Sequence, residues 1–410
     1  MLNAIRKTPS FVARAARSRA LPLCLTLLLA AIVGLAVSPQ ARAQDPAKPS
    51  VVRGLVILVE FPDVPHQVTR EHVALRFNGH LNRYVREMSG GAVSLDVDVT
   101  PGWSVLPKPV GQYRIAPRNL DVDKNRVMGL IEDALDSVGA NVDLGQYAFI
   151  ALMLGATMRE YGMVGLCGYP GMLGWATEDE FRTRDGRRVR GGVAIFTSQA
   201  HLGTLFHDVA HVLGGVKDGK RVVPCLYDHD LQARPGPPLE VFSRSIINMG
   251  YWDPMSCHFH QRQLPPPGVS SWTRLRLGWL DAAKVHTVRP GTTEEVLLGP
   301  LNDASAQTLA IRIPLSATSY YLVENRQPLG FDKNLPGSGV LIMLADDSVA
   351  ECRHGRAPVK LMPADPGAPR LTGAAFDAGA RNTFLDAGNK IKIEILENRS
   401  GSFRVRVSPL

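Results

Sequence analysis

Residues 198–215, reading SQAHLGTLFHDVAHVLGG, constrain what this chain can fold into more than any other segment. Ser198 has the chemistry of a helix cap and Gly214-Gly215 that of a helix stop, so the pattern predicts a helix from about Gln199 to Leu213. Leu202, Leu205, Phe206, Val209, Val212 and Leu213 give that helix an apolar surface too broad to face water. His207 and His211 stand four residues apart and project from one face. Buried imidazoles without partners are costly. Two readings satisfy them: hydrogen bonds to the backbone or to each other, or a shared metal ion. Two histidines one turn apart on a rigid element are what tetrahedral zinc takes from a helix.

The flanking sequence alternates between strand and helix patterns. Residues 55–59 are a continuous apolar run ended by Phe61-Pro62-Asp63, the pattern of a buried strand and turn. Val73, Phe77, Leu81, Tyr84 and Met88 mark an amphipathic helix over 70–88, stopped by Gly90-Gly91. Val93, Leu95, Val97 and Val99 alternate with polar residues as a half-exposed strand. A helix is expected around 122–138, strands over 147–154 and 193–196, and mainly loop over 155–192. This order predicts a sheet flanked by helices. From about residue 285 the pattern becomes all-β, with short strands over 296–298, 308–313, 320–324, 340–344, 391–396 and 403–407, and a long loop over 360–382.

Residues 1–43 carry Arg6, Lys7, Arg14, Arg17, Arg19 and Arg42, no acid, and an apolar run over 21–37. Ala41-Arg42-Ala43 follows as a small-x-small cleavage site, so the segment reads as a secretory signal peptide cut near Ala43. The expected mature protein is secreted or periplasmic, with no stable membrane span. The formal charge of +8 includes these six basic residues; without them 40 basic residues face 38 acidic ones. That balance gives no support to nucleic-acid binding. Cleavage leaves Cys167, Cys225, Cys257 and Cys352, an even number that an oxidising compartment would allow to form two disulfides. The expected organisation is a signal peptide over 1–43, a linker over 44–51, a catalytic domain over 52–284 and a β-rich domain over 285–410.

Several segments together resemble the immune inhibitor A-like (M6) secreted metallopeptidases. They are residues 55–63 (LVILVEFPD), 84–91 (YVREMSGG), 206–214 (FHDVAHVLG), 226–228 (LYD), 251–256 (YWDPMS), 276–280 (RLGWL) and 321–327 (YLVENRQ). The resemblance implies an α+β, zincin-like catalytic domain: a mixed sheet with an active-site helix. It implies zinc, often calcium, a protein or peptide substrate, and Met255 as the Met-turn residue beneath the metal. His207 and His211 become ligands and Asp208 the general base.

Two positions depart from the family pattern. Zinc peptidases of this helix type carry Glu where Asp208 stands, one methylene longer, and a base displaced by about 1 Å costs on the order of 10²-fold in rate. The family's next acidic residue falls at Lys217, which cannot coordinate. Residues 223–228 (VPCLYD) look like the rest of the pattern displaced by an insertion, with Cys225 in place of an Asp. The third ligand is then Asp228, by its preserved Leu-Tyr-Asp setting, with His229, Asp218 and Cys225 as alternatives by chemistry. A Cys225–Cys257 disulfide beside the site, leaving Cys167 with Cys352, is a further expectation. Two functions follow: a zinc endopeptidase using a metal-activated water, or a weak or inactive pseudopeptidase that binds peptide or glycan outside the cell. The sequence sets no oligomeric state.

Overall fold

A continuous apolar strand can be buried on both faces only if helices cover it on both sides, and the computed structural model is built that way around strand β1. The structure describes residues 50–174 and 181–410; the expected signal peptide and residues 44–49 of the linker lie outside them. Strand β1 (Ser50–Glu60) is an interior strand. It pairs in parallel with β2 (Val93–Val99) on one side and β3 (Phe149–Leu154) on the other. Strand β3 pairs in parallel with β5 (Gly192–Thr197), and β4 (Gly165–Tyr169) closes the sheet as an antiparallel edge on β5.

Side chains of successive strand residues enter opposite cores. Val56, Leu58, Phe149, Ala151, Ala194 and Phe196 pack with the helical segment 70–88 and with the helix carrying the histidines. Leu55, Ile57, Ile150, Leu152, Val193 and Ile195 pack against the helix Lys124–Asp136 on the other face. The expected helix over 70–88 is present, with a π-helical stretch at Leu75–Leu81.

The histidine-bearing helix, Leu202–Gly214, starts later than expected. Its cap is His201, whose Nδ1 accepts from Gly203 N at 3.0 Å, while Ser198 instead donates to Ala156 O. Gly215, at φ 63°, ends it. The stretch expected as loop contains β4: its Gly- and Cys-rich sequence has little intrinsic strand preference, and pairing with β5 supplies what propensity does not.

The C-terminal region is largely β, as expected. A five-stranded sheet (order 285–287, 310–314, 319–326, 339–346, 359–361) and a four-stranded sheet (294–298, 402–409, 391–399, 383–386) share a core through Val296, Ile311, Val323, Ile342, Ile393 and Val405. The other face of the five-stranded sheet, through Ala310, Leu322, Leu341 and Met343, joins the core under the histidine helix. Among the described residues no helix is long and apolar enough to cross a membrane.

A buried ion network ties this sheet to the turn below the histidines. Arg326, fully buried on strand Ser319–Arg326, bonds Glu324 Oε1 at 2.9 Å and both Asp332 oxygens at 2.9 and 2.6 Å. It also donates to Trp252 O (3.1 Å) and Gly268 O (2.7 Å), and Glu324 Oε2 accepts from Ser271 N at 2.6 Å. Removing one partner of such a network strands the others as uncompensated buried charges. Arg326→Ala is expected to lower unfolding free energy by about 3–5 kcal/mol in urea titrations; a loss below about 1 kcal/mol, the scale of a surface pair, would contradict this role.

Candidate metal centre

His207 and His211 are both buried, and each has one ring nitrogen committed to a backbone carbonyl. His207 Nδ1 lies 3.0 Å from Pro254 O, and His211 Nδ1 lies 2.6 Å from Val223 O. A carbonyl only accepts, so both Nδ1 atoms carry the proton and both Nε2 atoms present lone pairs. Those two atoms face each other at 3.0 Å. Cys225 Sγ completes a triangle at 3.5 Å from His207 Nε2 and 3.3 Å from His211 Nε2. The donors that face these lone pairs are the Cys225 thiol and Arg221 Nη1, the latter 3.3 Å from His211 Nε2. Tetrahedral zinc, with Zn–N about 2.0–2.1 Å and Zn–S about 2.3 Å, needs N···N about 3.3 Å and N···S about 3.6 Å. The three observed separations fall within a few tenths of an ångström of those values, so the donors fit a metal ion. Among the described residues this is the one such group of His, Cys, Asp or Glu; no acidic cluster offers calcium a comparable site.

Cys225 arrives through a short hairpin, Val216–Lys217 paired with Lys220–Arg221. Its tip places Asp218 and Gly219 at φ 52° and 68°, as a tight Asp-Gly turn requires. Beyond it, Val223 supplies the carbonyl to His211, and Leu226 N donates to Met255 O at 2.8 Å. Met255, fully buried, lies in a turn held by Asp253. One carboxylate oxygen of Asp253 accepts from Met255 N, and the other from Ser270 N, Ser270 Oγ and Thr273 Oγ1. Gly203 lets this segment close on the helix: a Cβ there would lie 1.8 Å from His258 O.

A cavity of about 60 Å³, room for about two waters, opens beside the triangle; Asn119, Gly165, Asp208, Arg221, Tyr227, His229 and His258 are among its lining residues. Asp208 is buried, and a Cβ on Gly165 would come within 2.7 Å of its Oδ2. Burial pushes its carboxyl up to about 7, against the pull of His207. Burial also holds His207 below its ordinary value and His211 well below, so both stay neutral and able to coordinate. For Cys225, burial raises the thiol, but the hydrogen bond and charge of His229, with Arg221 and Tyr227, outweigh it and bring the thiol below its usual range. Tyr227 OH accepts from Asn119 Nδ2 at 2.7 Å, and the His258 ring packs edge-on against His207.

Of the residues singled out in the sequence, the structure brings His207, His211 and Cys225 together and sets Asp208 beside them. Asp228 is not with them. Its Oδ1 accepts from Asp230 N and Leu231 N as a helix cap, and its Oδ2 accepts from Gly355 N. Asp218 is exposed at the hairpin tip. His229 lines the cavity and favours the thiolate of Cys225. Arg221 was not anticipated, although Asp218-Gly219 was a hairpin signal that delivered it. The disulfide expectation is overturned: Cys167, Cys225, Cys257 and Cys352 are buried free thiols. Cys225 is turned toward the imidazoles, while Cys257 donates to Phe259 O at 2.9 Å and Cys167 to Pro170 O at 3.3 Å.

Two outcomes follow. Alkylation of the leader-free chain, denatured without reductant, should label four thiols by intact mass; two or none would contradict the arrangement. In the metal-stripped protein, unfolding frees His207, His211 and His258 to bind protons below their ordinary 6.5, while folded Asp208 holds a proton that the unfolded chain lacks between 3.8 and about 7. Three groups outweigh one, so stability should fall as pH drops from 6.5 toward 5. Denaturant midpoints that hold constant or rise over that range would contradict this balance.

No family model matches the sequence, and no curated protein matches it. Among solved structures, the chain is similar to metalloproteinase-II from Bacteroides fragilis at 13% identity and a TM-score of 0.31, over 57% of this chain. The match spans 54% of that protein, about half its length.

Proposed function

We propose that the chain is an exported zinc-dependent hydrolase of peptide bonds, of the immune inhibitor A-like kind, with His207, His211 and Cys225 holding the metal. The observation that carries this reading is the pair of facing Nε2 lone pairs with a thiol at tetrahedral spacing. Imidazole with thiolate in that geometry favours zinc among the common divalent ions. A zinc ion there would act as a Lewis acid and lower the pKa of water toward about 7. Asp208, buried on the cavity wall beside the metal group, is the carboxylate placed to take a proton and return it to a leaving amine. Tyr227 OH, oriented by Asn119, is a donor on the cavity wall for developing negative charge. Strand β4 is an edge strand whose Gly165, Leu166 and Cys167 line the cavity, and an extended peptide can add to such an edge. In this reading residues 52–284 form the catalytic domain and the β-rich residues 285–410 brace it.

A second reading, a peptide-binding protein without turnover, is favoured by the short reach of Asp208, whose Oδ2 lies against Gly165. Elemental mass spectrometry of purified protein should find near one zinc per chain, lost in His207→Ala, His211→Ala and Cys225→Ala. Peptide-library cleavage should then fall on the order of 10²–10⁴-fold in Asp208→Asn. Bound zinc with peptide binding but no cleavage would select the second reading. No zinc, even after refolding with added zinc, would defeat both metal readings.

A further inference from the structure

Arg221 reaches the metal group from the hairpin, and the proposed chemistry does not use it. Its Nη1 lies 3.3 Å from His211 Nε2 and 3.7 Å from Cys225 Sγ. His211 Nδ1 is already committed to Val223 O, so the lone pair that receives Arg221 is the one a metal would take. That lone pair cannot serve both. A guanidinium, unlike a proton, is not removed by any ordinary change of pH; the side chain has to move. Its place is prepared: Arg221 pairs in register with Val216, and a Cβ on Gly171 would come within 2.7 Å of its Nη2. Even after moving, a cation tethered this close repels an incoming divalent ion.

We infer that Arg221 is a resident competitor for the metal, holding the affinity of the His207–His211–Cys225 site below what its donors alone would give. The site then loads where free zinc is plentiful and empties where it is scarce. This inference rests on the metal-binding reading and concerns how tightly, not whether, the site binds.

The test is zinc affinity of the full chain by competition with a chromophoric chelator, with folding checked by thermal melts. Arg221→Met should tighten binding by about tenfold or more, equivalent to about 1.4 kcal/mol. Arg221→Gln, which keeps a donor without the charge, provides a second variant should the first fold poorly, and should also tighten binding. Lys220→Met, exposed on the same hairpin, should leave affinity unchanged. Unchanged or weaker binding in a folded Arg221 variant would overturn the inference, as would equal tightening in Lys220→Met. No zinc binding by the wild type would instead defeat the metal reading on which the inference stands.

Discussion

Two imidazole Nε2 atoms face each other 3.0 Å apart in a buried site, with Cys225 Sγ and Arg221 Nη1 beside them, and much of the surrounding structure holds that arrangement in place. The histidine helix alone does not create it, because free imidazoles would rotate or exchange tautomers. Pro254 O and Val223 O prevent that by accepting hydrogen bonds from both Nδ1–H groups. Pro254 is in turn positioned by Asp253, whose carboxylate gathers Ser270 and Thr273, and by Arg326, which bonds the carbonyl of neighbouring Trp252. Segments far apart in the chain thus meet on two ring nitrogens. Such support around ligating histidines fixes their orientation and raises their basicity.

The same burial sets the charges of the site. It suppresses protonation of His207 and His211 and raises Asp208 to about 7. Cys225 runs against its own burial because His229, Arg221 and Tyr227 favour the thiolate. A neutral imidazole pair, a thiol shifted toward its thiolate and a buried carboxyl beside them form a set suited to holding a divalent ion.

The parts of this arrangement governed by periodicity were legible in the sequence. The strands feeding the first sheet, the helix with both histidines on one face, and the β-rich C-terminal region all follow from apolar spacing. What depended on long-range closure was not. Strand β4 has an unpromising composition and exists because β5 pairs with it. The cap moved from Ser198 to His201, since the serine hydroxyl found Ala156 O instead. The Leu-Tyr-Asp setting of Asp228 was preserved, but its carboxylate caps a helix and binds Gly355 N, while Cys225, three residues earlier, turns toward the imidazoles. An even cysteine count suggested staples, yet all four are buried free thiols.

X-ray absorption at the zinc edge of the zinc-loaded protein tests the central claim most directly, because it reads the donor atoms themselves. The predicted spectrum contains two imidazole nitrogens at about 2.0–2.1 Å and one sulfur at about 2.3 Å, with a further light-atom ligand in the open position. A first shell of nitrogen and oxygen without sulfur would contradict the account, since it would mean that Cys225 is not a ligand.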